Sequence, residues 1–113
     1  MVQALENQLR EVPEDARARI LLGSYYAQEQ RIDDAIRETN LAMTLRPNEA
    51  TVLYNAACTF ATIGRRAEAL DALRKSWEAG YKDAEWTRRD PDLTSLHGDP
   101  AFDSLFPAPK EES

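Results

Sequence analysis

The side chains best suited to nucleophilic or acid-base work in this 113-residue chain are one histidine, His97, and one cysteine, Cys58, far apart in sequence. Such chemistry requires a nucleophile or an acid-base pair held together in a cleft. His97 stands beside Gly98 in a short linker and reads as an exposed loop residue. Cys58 follows Ala57 on an apolar helix face and reads as a small buried filler, the usual behaviour of a structural cysteine. Zinc commonly takes four nitrogen or sulfur ligands at short spacings, which this pair does not supply, so no metal is expected. Asp90-Pro91-Asp92 lacks the alternating acids, glycine and closing glutamate of a calcium loop. An acid directly before proline instead reads as a helix N-cap. Four scattered glycines form no phosphate-binding loop. No catalytic, cofactor-binding or metal-binding residue is expected, and the chain reads as a non-enzyme.

Composition narrows the partners. Net charge is -6 with a pI near 4.8, and the arginines are dispersed, with Arg65-Arg66 and Arg88-Arg89 as the adjacent pairs. Nucleic acid needs a clustered basic face, so none is expected as a ligand. Mean hydropathy of -0.60 and the lack of any long apolar run argue against a membrane span. The opening residues, Met1 to Glu6, carry no basic segment followed by an apolar one. With a lone cysteine that cannot close an intrachain disulfide, a cytoplasmic location is expected.

The elements that must position these residues follow from a repeat. At an offset of 34 residues Pro13 pairs with Pro47, Leu22 with Ala56, Gly23 with Ala57, Tyr26 with Phe60 and Ala35 with Ala69. Self-similarity at that period marks a stack of helix pairs. Ile20, Leu21, Leu22, Tyr25 and Tyr26 form one apolar stripe, and Ile32, Ala35, Ile36, Leu41, Ala42 and Leu45 a second. Asp33 and Asp34 suit the first turn of the second helix, and Pro47 ends it. The next unit places Leu53, Ala56, Ala57 and Phe60 on one helix and Ala69, Leu70, Leu73 and Trp77 on the other. Gly64 and Gly80 stand where left-handed C-terminal caps are needed. The small residues Gly23, Ala35, Ala57 and Ala69 allow the helices to approach closely.

These residues resemble tetratricopeptide repeats. The first unit carries Leu22-Gly23, Tyr26, Ala35, Ala42 and Pro47 at the family's positions, and departs from it at Arg19 and Thr39, where Trp and an aromatic are usual. The second carries Leu53, Ala57, Phe60, Gly64 and Ala69, with Leu73 and Tyr81 replacing the late aromatic and the proline. The resemblance implies an all-α solenoid of antiparallel helix pairs in one domain, residues 1–106. Residues 1–15 hold the second helix of a partial repeat, 16–49 and 50–83 are full repeats, 84–106 form a C-terminal cap, and 107–113 a disordered tail. It further implies that the first helix of each unit lines a concave groove. The matching positions are Arg17, Ile20, Ser24, Gln28, Thr51, Tyr54, Asn55, Cys58 and Thr62, with Tyr54 as an apolar anchor. Of the Lys, Asn and Arg set that clamps a carboxylate in some members, only Asn55 is present.

Past Asp83 the repeat pattern fades. Asp90-Pro91 and Asp99-Pro100 each open a short helix, and Trp86, Phe102 and Phe106 are expected to cover the end of the stack. The second half of the chain is similar to the tetratricopeptide C-termini of some bacterial serine/threonine kinases, nucleotide cyclases and transcriptional regulators. The expected function is therefore a scaffold that holds a protein or peptide in its groove. Two alternatives stand beside it: a homodimer formed through Val2, Leu5 and Leu9, and the regulatory end of a larger signalling enzyme.

Overall fold

The computed structural model describes residues 1–105, and every regular element among them is helical. Helix α1 spans Val2–Glu11, α2 Ala16–Gln28, α3 Ile32–Leu45, α4 Ala50–Thr62 and α5 Arg66–Glu78. Two short helices, α6 (Ala84–Arg89) and α7 (Pro100–Leu105), flank a 3₁₀ helix at Pro91–Leu96. Local signals set these bounds. The Asp15 carboxylate accepts from the Ala18 amide at 3.0 Å and caps α2, and Asp83 caps α6 in the same way through Trp86. Asp33 and Asp34 occupy the first turn of α3, and Arg46, ahead of Pro47, leaves helical geometry with φ at -136°.

The C-terminal caps repeat with the sequence. Gln30, Gly64 and Gly98 all have left-handed backbones, with φ of 64°, 83° and 86°. The amide of Arg31 donates to the Tyr26 carbonyl and that of Arg65 to the Phe60 carbonyl, each at 2.8 Å, the six-to-one bond of the Schellman motif. Gly80 closes α5 by the same bond from Tyr81 to Ser76 at 2.9 Å. Glycine accepts such a backbone without a Cβ penalty; Gln30 does not.

Helix α2 packs on α3 and α4 on α5, α2 lies alongside α4, and the elongated molecule extends 55 × 26 × 21 Å. Small residues carry the close contacts: Ala35, Ala42, Ala56, Ala57 and Ala69 are each 0% exposed. At Gly23 a Cβ would come within 2.6 Å of the Thr39 hydroxyl and 3.3 Å of the Ala35 carbonyl. The small Thr39 thus sits against a glycine that has no room to grow. Arg19 forms a 2.6 Å ion pair with the buried Glu38 and donates to the Pro13 carbonyl. It ties the start of α2 to α3 by charge.

Several sequence expectations change. The register persists past Asp83: α2, α4 and α6 begin at 16, 50 and 84, and α3, α5 and α7 at 32, 66 and 100. Pro91 interrupts the α6 run, because it has no amide to donate and disfavours helical geometry at Asp90. The 3₁₀ helix then continues along α4. Trp86 is 42% exposed and covers little, while Leu93, Leu96 and Phe102 fill the core beside α4 and α5; Phe106 and the expected tail lie outside the described residues. Leu21, Leu41 and Ile32, read as members of inward stripes, are 37–42% exposed. Leu9 is buried, and Val2 and Leu5 pack with it against α2 around Leu22 and Tyr26. Of the three residues expected to pair two chains, Leu9 is thus taken up within the chain, while Val2 and Leu5 stay half-buried.

Candidate functional site

Helix α4 brings most of the expected groove residues together, but with unequal access. Arg17, Gln28, Thr51 and Thr62 are exposed, and Ser24 and Asn55 are half-buried. Ile20, Tyr54 and Cys58 are only 2%, 6% and 9% exposed, so Tyr54, the expected apolar anchor, is not open, and neither are the groove positions Ile20 and Cys58. Ile20 joins the core where α2 meets α4. Tyr54 and Cys58 are covered because the α6 and 3₁₀ run brings the 3₁₀ helix to rest on α4. Ser95 fastens that run by donating to the Ala61 carbonyl at 3.4 Å.

The covered side chains form one connected group. The Tyr54 hydroxyl donates to the Asp90 carboxylate, which is itself 4% exposed, and the Tyr54 ring stacks on Tyr81 with centroids 4.2 Å apart. The Cys58 thiol lies 3.8 Å from the same Asp90 oxygen. The other Asp90 oxygen accepts from the Asp92 amide at 3.0 Å and caps the 3₁₀ helix. Asp90 was legible in sequence as a cap; its role as acceptor for Tyr54 was not, because no local pattern links residues so far apart.

Charge state follows from this packing. Burial, and then the hydrogen bond to Asp90, pushes the Tyr54 phenol well above its usual range. Burial also raises the Cys58 thiol, reinforced by the charges of Asp90 and Asp92. The protonated thiol is a poor nucleophile, since the thiolate is the reactive form. One donor atom each from Cys58, Asp90 and Asp92 lie within 4.8 Å of one another. A cation there would compete with the Tyr54 and Cys58 protons for the same carboxylate. The geometry favours a structural lock over a reactive centre.

What stays open on this side is polar: Arg17, Gln28, Thr51 and Thr62, with Ser24 and Asn55 between them. Clefts occur elsewhere too, including one of about 400 Å³ between α3 and α5, lined in part by Asn40, Met43, Phe60 and Lys75.

No family model matches the chain. It is similar to a chloroplastic protein of Arabidopsis thaliana, with 31% identity over 87 residues. The match covers 74% of this chain and 26% of that relative, so the chain spans about a quarter of the length of the curated protein it matches. The relative is a plant protein and lends no support to the bacterial setting expected from sequence. No helix among the described residues is long and apolar enough to cross a membrane.

Proposed function

We propose that the chain is a tetratricopeptide-type helical solenoid acting as a non-enzymatic protein-interaction module, with a peptide or helix of another protein held along the polar side of α2 and α4. The observation that carries this reading is the shared register of backbone and sequence: left-handed residues at Gln30, Gly64 and Gly98, and helix starts that recur through α6 and α7. Stacked pairs of this kind make extended surfaces suited to holding chains. The proposed contacts are Arg17, Ser24, Gln28, Thr51, Asn55 and Thr62; Ile20, Tyr54 and Cys58 support them from beneath. Since the side chains left exposed are mostly uncharged and polar, recognition would run through hydrogen bonds to a ligand backbone. The free Cys58 accords with a reducing, cytoplasmic location.

A photoreactive residue placed at Gln28, Thr51 or Thr62 tests the reading in extract of the source organism. The same protein captured from all three positions, and not from Leu41 on α3, is the expected result. Capture that is equal at Leu41, or absent throughout, rejects the groove.

The resemblance of the second half of the chain to the tetratricopeptide C-termini of bacterial kinases and cyclases keeps one second reading, that the chain serves as a regulatory region of a larger signalling protein. Activity of such a protein that is unchanged when this region is deleted would remove that reading.

A further inference from the structure

We draw no further inference here: the strongest candidate, the cleft of about 400 Å³ between α3 and α5, has a floor of Phe60 and Ala72 that is only 2% exposed and rim charges, Glu68, Asp71 and Lys75, already paired within the chain, so nothing in the structure shows what would cover it.

Discussion

The Tyr54 hydroxyl donates to the Asp90 carboxylate at 2.5 Å across 36 residues of chain, joining α4 to the residue that caps the 3₁₀ helix. This one bond turns an expected open anchor into a closed seam. Removing Asp90 should cost more than removing the Tyr54 hydroxyl. Asp90→Ala leaves a buried phenol without its acceptor, about 1–3 kcal/mol, and deletes an N-cap worth about 1 kcal/mol. Tyr54→Phe leaves Asp90 with the Asp92 amide and the Cys58 thiol, and should cost about 1 kcal/mol. Urea unfolding of both variants and the double variant checks the order, and equal costs would contradict the seam. Maleimide labelling of Cys58 provides a second readout, slow in wild type and faster in Asp90→Ala.

Gly23 and Thr39 yield a prediction of strong coupling. In wild type, Gly23→Ala should destabilise by about 1–3 kcal/mol, since the added methyl would meet the Thr39 hydroxyl. In a Thr39→Ala background the cost should fall below about 1 kcal/mol, since the hydroxyl is gone and the Ala35 carbonyl at 3.3 Å is the tight contact that remains. The Thr39 hydroxyl is buried without a hydrogen-bond partner, so the background itself loses no such bond. A thermal double-mutant cycle measures the coupling, and additive effects would show that α2 and α3 are not in the contact described.

Gln30→Gly should raise stability by about 1 kcal/mol, because Gln30 holds a left-handed φ of 64° that glycine adopts freely. The mirror change, Gly64→Gln, should lower it by a similar amount. Nothing stands within 4 Å of where a Gly64 Cβ would be, so the pair reports backbone conformation alone. Melting temperatures that move together in either direction would refute the account.

How far the sequence could be read depended on whether the signal was local. The bounds of α2 to α5 were legible because apolar spacing, the Asp33-Asp34 start and the stops at Pro47 and Gly64 all act within a turn or two. Gln30 gave no local sign, although the repeat alignment places it opposite Gly64. The same alignment sets Ala84 opposite Ala50 and Pro100 opposite Arg66, which marks the continued register that the loss of apolar pattern obscured. In Ile20-Leu21-Leu22, three consecutive apolar residues cannot reveal which one points outward. Tyr54 was misplaced for a different reason: its cover comes from Asp90 and Tyr81, and burial by distant chain leaves no trace beside the residue it buries.

Alkaline pH should expose the Tyr26 contact between α1 and α2. Burial, and then a 2.6 Å hydrogen bond to Glu6, push the Tyr26 phenol from its usual 10 up to about 12, while the Arg31 guanidinium 4.0 Å over the ring opposes the shift only partly. A phenol whose folded value is raised binds its proton more tightly in the native state than in the unfolded chain. Its contribution to stability is therefore complete below pH 10 and is lost as pH rises from 10 through about 12. Tyr26→Phe has no proton to lose, so the gap in unfolding free energy between wild type and variant should be widest near neutral pH and narrow across that window. Urea unfolding of both proteins from about pH 8 to about pH 12 measures the gap. A gap that stays constant, or widens with pH, would mean that Glu6 does not hold Tyr26 and that α1 is secured by Val2, Leu5 and Leu9 alone.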